Sequence, residues 1–230
     1  MGRGGRIVAG LAGALVLVLV LAQVFLPSIA ASRISSRVGR YGDVHSVSVS
    51  AFPALKLLWG KADTVTVRAG RLSISPSQTA KLLWEARGVN KLVLSSPRVR
   101  EGPLVLSNVI LRKGGGQLTA QGIASQAAVA GALPEGLRVR LLSSEAGEVK
   151  ARVSGHASLA GLVGAGASLD VLAGADSGRL TVRALDTGLS GVHLTLFASP
   201  YVEVQGVAAR ALTVPAGMAS YLLWLRARLR

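Results

Sequence analysis

The chain has 230 residues, no cysteine, and 26 lysines and arginines against 11 acidic residues, which gives a formal net charge of +15. The lack of cysteine excludes disulfides and cysteine-ligated metals. The positive charge predicts an anionic partner, either anionic lipid or nucleic acid, and no RNA-binding signature, zinc finger or basic run interleaved with aromatic residues supports nucleic acid.

The first element is an apolar run from Ile7 to Leu26, twenty uncharged residues in which Gln23 is the one strongly polar side chain. As a helix it covers about 30 Å, the hydrocarbon thickness of a bilayer. We therefore expect a cytoplasmic tail over residues 1–6 and a transmembrane anchor over residues 7–27. Two alternatives remain: a secretory signal cleaved after Ser28-Ile29-Ala30, and a buried helix of a soluble protein.

Basic residues lie on both sides of this run, so the flanking charges do not fix its orientation. A long body translocates largely regardless of charge, and we expect it to face the periplasm or cell wall from a single-pass anchor in the cell membrane. Residues 28–42 are predicted to form a short basic helix or linker. Because only Arg3 and Arg6 precede the run, 24 basic residues against 11 acidic ones leave a formal charge of +13 on the body.

Residues 43–215 show a period of two, typical of half-buried strands, and are predicted to form one β-rich domain. Glycine-containing turns separate the runs, which favours antiparallel pairing, and no βαβ rhythm is evident. The predicted fold is α+β, mostly β, with a long curved antiparallel sheet. The predicted strands are His45–Ala51, Thr64–Ala69, Arg71–Ser75, Lys91–Ser95, Leu104–Arg112, Gln117–Ile123, Leu137–Leu142, Glu148–Ser154, Arg179–Leu185, Val192–Phe197 and Tyr201–Val207.

Few helices are predicted in this body. Ser75 and Pro76 form a helix start, and the helix runs towards Gly88. A second helix is predicted over Ser125–Leu133. The Gly/Ala-rich stretch Leu159–Ala167 is interpreted as a segment that packs closely on a neighbour.

The C-terminal segment, residues 216–230, is predicted to be a basic amphipathic helix on the membrane surface. Its apolar residues are spaced for one helical stripe, and three arginines close its end. We expect Arg226, Arg228 and Arg230 to contact lipid head groups. The alternative is a segment that packs on the body or frays.

No catalytic signature occurs in the sequence. The three histidines are scattered, and there is no GxSxG elbow, P-loop, GxGxxG after a strand or HExxH. We expect no enzyme, no catalytic residue, no metal and no cofactor.

Each of the three tryptophans follows a Leu-Leu pair, at Trp59, Trp84 and Trp224. Such residues settle either at a membrane–water boundary or in a core. The first lies in Val44–Gly60, whose order is strand, Phe52-Pro53, Leu-rich turn and glycine, and the strand Ala62–Val67 comes next. This stretch resembles the opening of the LmeA-like phospholipid-binding family of actinobacterial envelope proteins. The surrounding order is also similar, since the apolar run and the basic segment come before it and Leu133-Pro134-Glu135-Gly136-Leu137 comes after it.

The resemblance implies a non-catalytic domain in which a curved sheet and a few helices enclose an apolar groove for phospholipid acyl chains. Lys56 and Lys61 would then reach head-group phosphates. The residues expected to line or gate the groove are Phe52, Pro53, Leu55, Leu58, Trp59, Leu83 and Trp84.

The expected function is that of a membrane-anchored protein that holds or transfers anionic phospholipid, in support of envelope lipid or lipoglycan synthesis. The expected partners are phospholipid and the membrane, without nucleic acid. The alternative is a structural or scaffolding envelope protein that binds a protein partner. An enzyme that acts on lipid and a nucleic-acid-binding protein rank after these two.

Overall fold

The structure is a computed structural model that describes residues 3–133, 137–155, 167–185, 193–213 and 219–230, with side chains in the first helix from Val20 onward. The described part contains three α-helices: α1 (Arg3–Val38), α2 (Pro76–Glu85) and α3 (Gln126–Gly131). Short 3-10 helices cover Gly39–Tyr41, Ala54–Trp59 and Ala86–Gly88. The strands are β1 (Gly42–Ser50), β2 (Ala62–Ser73), β3 (Val89–Glu101), β4 (Leu104–Gly114), β5 (Gln117–Ser125), β6 (Leu137–Glu145), β7 (Glu148–Gly155), β8 (Ala167–Asp176), β9 (Arg179–Ala184), β10 (His193–Phe197), β11 (Val202–Thr213) and β12 (Ala219–Leu229).

The first helix continues through Pro27, so most of the predicted short basic helix or linker over residues 28–42 is helical and continuous with the apolar run. Proline removes one hydrogen bond from a helix interior. Packing of the second half of α1 against β1 and β2 offsets that loss, since Ala30, Ala31, Ile34 and Val38 join their core. Over the helical residues whose side chains are described, no stretch is long and apolar enough to cross a membrane. The side chains of residues 7–19 of the predicted span are not among those that the structure describes.

The long sheet has seven strands in the order β1-β2-β3-β4-β5-β12-β11. Its neighbours are antiparallel except for β2 and β3, which are parallel and are joined by α2. The expectation of a mostly β fold with a long antiparallel sheet is confirmed, and the expectation that no βαβ unit occurs is wrong. The predicted start of α2 is also confirmed: the Ser75 side chain accepts from the Gln78 amide, and the Gln78 side chain accepts from the Ser75 amide.

Alternation of side chains gives this sheet two unlike faces. One cross-strand row supplies one residue from each strand, and all seven are at most 9 % exposed: Val49, Val65, Leu92, Lys113, Leu118, Ala227 and Val204. We call this face the inner face. The adjacent row points the other way, to the outer face, and consists of Ser48, Thr66, Val93, Arg112, Thr119, Arg226 and Gly206.

Two helices cover the inner face. The second half of α1 packs over β1 and β2, while Leu83 of α2 packs against Leu118, Val202 and Ala227. An Arg37–Glu85 ion pair of 2.9 Å joins the helices. The one charged residue of the inner row is Lys113, whose Nζ donates to the Arg87 and Val89 carbonyls. Burial lowers the pKa of this amine.

The second sheet is an antiparallel meander in the order β10-β9-β8-β7-β6. Its hairpin turns meet the edge of the long sheet: the Val204 and Val207 amides of β11 donate to the Gly178 and Gly147 carbonyls at 2.9 and 2.8 Å. The Ala209 amide donates to Ser144 Oγ at 2.9 Å. Amides at the free edge of β11 are thereby satisfied, which removes a template for unwanted strand pairing.

The predicted C-terminal helix over residues 216–230 is wrong, because β12 occupies Ala219–Leu229 between β5 and β11. The end of this segment, Leu225–Leu229, alternates apolar and basic residues, and two flanking strands satisfy the backbone groups of β12 along most of its length. Strand β8 was not predicted. Of the Gly/Ala segment Leu159–Ala167, residues 159–166 lie outside the described residues, as do residues 134–136 of the motif that begins at Leu133.

Candidate functional site

The Phe-Pro segment, here called the tip loop (residues 51–61), is fixed to α1 by the single strongly polar residue of the apolar run. Gln23 Nε2 donates to the Ala51 carbonyl at 3.1 Å, and Gln23 Oε1 accepts from the Ala54 amide at 2.8 Å. Gln23 lies three residues, about 4.5 Å along the helix axis, before the end of that run. The tip loop is therefore held beside the last turn of the predicted span.

A carboxylate orders the tip loop from the opposite side. Asp63 Oδ2 accepts from the Phe52 amide at 2.6 Å, and Lys56 Nζ lies 3.4 Å from Asp63 Oδ1. The hydrogen bond from the Phe52 amide, with a smaller contribution from the Lys56 charge, lowers the pKa of Asp63 against the opposing effect of desolvation. Asp63 is thus ionised at neutral pH and keeps the Phe52 backbone in place.

These contacts present apolar side chains to the surroundings. Phe52 is 76 % exposed, Leu58 65 % and Trp59 71 %, while Ala54 in the same loop is only 1 % exposed. Val24 and Phe25 of the adjoining helix are also exposed. Leu55 is half-buried, and Pro53 is exposed and follows a cis peptide bond. A recess of about 230 Å³ opens between helix and loop, lined by Gln23, Pro27, Val49, Ser50, Ala51, Phe52 and Asp63.

Basic residues gather at the same end of the long sheet as the tip loop. Lys56 and Lys61 lie in the loop, and a Cβ at Gly88 would meet the Gly60 carbonyl, which places Arg87 nearby. One cross-strand row joins Thr64 through Lys91, Gly114 and Gln117 to Arg228. The C-terminal Arg230 pairs with Glu203 at 3.3 Å. Arg228 therefore reaches this end from β12, and Arg230 directly follows that strand, whereas a helix was predicted for both.

The remaining predicted residues lie elsewhere. Leu83 is buried in the inner core, and Trp84 stacks on Tyr201 with ring centroids 4.6 Å apart, while the Arg87 guanidinium lies 4.0 Å above the Trp84 ring. Neither contributes to the exposed cluster around Phe52. Arg226 lies on the outer face beside Thr119.

Two residues that fix the loop were not predicted, Gln23 and Asp63. Gln23 carried a signal, because it is the only strongly polar residue in the apolar run, but its partners are 28 and 31 residues away. Among the described residues, no group of three or more His, Cys, Asp or Glu side chains is placed to hold a metal ion.

Comparison with known proteins adds no relative: no protein-family model matches the chain, and no curated protein and no solved structure matches it significantly.

Proposed function

We propose that this chain is a membrane-anchored phospholipid-binding protein of the cell envelope, which holds or transfers anionic lipid. The observation that carries the proposal is the tip loop, where Gln23 and Asp63 fix an exposed Phe52, Leu58 and Trp59 beside the end of the apolar run. The resemblance of residues 44–67, which include the tip loop, to the LmeA-like family also supports it.

Three large apolar side chains in one ordered loop lose contact with water only if another apolar phase covers them, and each one fully transferred contributes roughly 1.5–3 kcal/mol. A helix that spans the bilayer over residues 7–27 puts the tip loop at the boundary between hydrocarbon and head groups. Tryptophan favours that depth because its ring is apolar and its NH is polar.

Charge supports an anionic lipid rather than a neutral one. Lys56 and Lys61 flank the exposed side chains, and Arg228 and Arg230 lie at the same end of the sheet. Near an anionic surface an unpaired basic residue contributes about 1 kcal/mol of attraction. Lys56 and Arg230 contribute less, because each is paired with a carboxylate, Asp63 and Glu203 respectively. In this proposal an acyl chain leaves the bilayer along Phe52, Leu55 and Leu58, while the body faces away from the cytoplasm.

The depth of the tip loop tests the membrane contact. The full chain is reconstituted in vesicles that contain phosphatidylglycerol brominated on its acyl chains, with Trp59 as the only tryptophan (Trp84→Phe, Trp224→Phe). We expect strong quenching of Trp59 fluorescence. The matched control replaces all three tryptophans with Phe and adds Pro103→Trp in the exposed β3–β4 turn. This turn is about 40 Å, the full length of β3, from the start of that strand near the tip loop. Equal quenching of the two variants contradicts the proposal.

Lipid retention tests the binding itself. Native mass spectrometry of the full chain released in neutral detergent should show bound phospholipid, and Phe52→Asp with Leu58→Asp should remove most of it. Leu194→Asp with Leu196→Asp changes two other leucines, each 53 % exposed, on β10 of the second sheet, and should leave the bound lipid unchanged. A wild-type chain free of lipid, or equal loss in both variants, contradicts the proposal.

A further inference from the structure

A groove of about 600 Å³ lies on the outer face of the long sheet, opposite the face that α1 and α2 cover. Two cross-strand rows form its floor. Arg112, Thr119 and Arg226 stand side by side on β4, β5 and β12, and Ile110, Gln121 and Trp224 form the next row. The β6–β7 turn, Ala146–Gly147, closes one side. The volume is within the range of small-molecule sites.

The wall of this groove is fixed by backbone contacts. The Val207 amide donates to the Gly147 carbonyl at 2.8 Å, and a Cβ on Gly206 would lie only 3.2 Å from Gly147 Cα. Gly147 also has φ +85°, which side chains with a Cβ rarely adopt. Two glycines thus allow the turn to approach the sheet closely, and the groove is formed before any ligand arrives.

Charge identifies the kind of ligand. Arg112 and Arg226 flank Thr119 two strand spacings apart, about 10 Å between backbones, so their long side chains can converge on one group above the Thr119 hydroxyl. Within the described residues neither arginine has a carboxylate within 4.0 Å, whereas Arg152, Arg183 and Arg230 each have one. Glu148, which comes directly after the wall, is paired with Arg183 at 3.6 Å.

We propose that this groove binds an organic phosphate. The Arg112 and Arg226 guanidinium groups and the Thr119 hydroxyl hold the phosphate oxygens, because paired guanidinium donors match that geometry. The organic part lies against the half-buried Trp224 and Ile110, with the Gln121 amide available to its hydroxyls. A free phosphodiester and a lipid head group share this chemistry. The site is separate from the tip loop and does not rest on the proposed function.

The test uses the full chain in uncharged detergent with Trp224 as the only tryptophan (Trp59→Phe, Trp84→Phe). The probes are inorganic phosphate and two phosphodiesters, glycerophosphoglycerol and dihexanoyl phosphatidylglycerol, and the organic surface increases in that order. Binding is measured by Trp224 fluorescence and by calorimetry. We expect both organic probes to bind more tightly than inorganic phosphate, and Arg112→Gln with Arg226→Gln to weaken them at least tenfold.

The matched control is Arg98→Gln with Arg100→Gln, which removes the same charge from two exposed arginines of β3 that do not line the groove. It should change affinity less than twofold. Similar affinities for the two organic probes assign the site to a free phosphodiester, and at least tenfold tighter binding of the lipid assigns it to a head group. Equal weakening in the control, no binding of any probe, or inorganic phosphate bound as tightly as both organic probes overturns the proposal. Quenching of Trp59 is unaffected by any of these outcomes.

Discussion

The inner face of the long sheet and the tip loop at one end of that sheet are two apolar regions that differ in their exposure to water. Across the inner face a complete row of seven side chains is withdrawn from water beneath α1 and α2. In the tip loop, Phe52, Leu58 and Trp59 remain mostly exposed, although ordered hydrogen bonds hold their backbone. Folding therefore buries the first region, and only a further partner can bury the second.

The polar contacts of the two regions explain this difference. On the inner face they stabilise the core, because Lys113 Nζ donates to the carbonyls of Arg87 and Val89 at the start of β3. At the tip loop, Gln23 and Asp63 instead fix the loop in a conformation that leaves its large side chains outside. Ordered polar anchors under an exposed apolar cluster are typical of an interaction surface rather than of a poorly packed core.

The largest expected effect comes from replacing one leucine by alanine in each region and comparing the two losses of stability. Leu118→Ala truncates a residue of the inner row that is only 2 % exposed and should lower the free energy of unfolding by about 3 kcal/mol, through lost burial and the cavity left behind. Leu58→Ala should cost less than about 0.5 kcal/mol, because the side chain is already in solvent. Urea unfolding of the full chain in uncharged detergent measures both, and similar losses would remove the distinction.

The inner face was largely predictable and the tip loop only in part. Runs such as His45–Ala51 and Gln117–Ile123 alternate clearly, so their buried side can be deduced from residue order. In contrast, the Tyr221, Leu222, Leu225 and Leu229 stripe also fits a helix, and only pairing with β5 and β11 makes it a strand. The parallel β2–β3 pair likewise depends on where α2 packs.

At the tip loop the apolar and basic residues were expected from the resemblance of the Phe-Pro segment, and their anchors were not. Gln23 to Ala54 spans 31 residues and Phe52 to Asp63 spans 11, and no local periodicity relates such positions. The outer-face groove was missed for the same reason. Arg112 and Arg226 become neighbours of Thr119 only through strand pairing across the sheet.

Replacing Gln23, the residue of α1 that holds the tip loop, should affect that loop alone. In Gln23→Leu the Ala54 amide and the Ala51 carbonyl lose their partners, each of which contributes roughly 0.5–1.5 kcal/mol. We expect hydrogen exchange of the Ala54 amide to accelerate about tenfold, with no change at the inner-face strands. Gln117→Leu, at an exposed position of β5, serves as the control and should leave Ala54 unaffected. Equal protection of Ala54 in wild type and Gln23→Leu would show that the helix does not hold the loop.

The buried amine of the inner row should make stability depend on alkaline pH. Burial lowers the pKa of Lys113 below its usual 10.5, so between the two values the unfolded chain binds more protons than the folded one. Stability should therefore rise as pH increases through that window. The difference between wild type and Lys113→Met, measured by urea unfolding at successive pH values, isolates this rise from the other titrating groups. A difference that is constant with pH would mean that the amine is not desolvated by folding.

The smallest expected effect is acid release of the tip loop. The Phe52 amide and Lys56 lower the pKa of Asp63 below its usual 3.8, so this contact stabilises the folded loop at pH values above 3.8 and is lost as pH falls through the lowered folded value. Trp59 fluorescence, with Trp84→Phe and Trp224→Phe in place, should change in that acidic window. Asp63→Asn keeps an acceptor for the Phe52 amide but cannot titrate, so its signal should stay flat over the same range. A transition in wild type that persists in Asp63→Asn would assign the acid sensitivity to another group and leave the loop held by Gln23 alone.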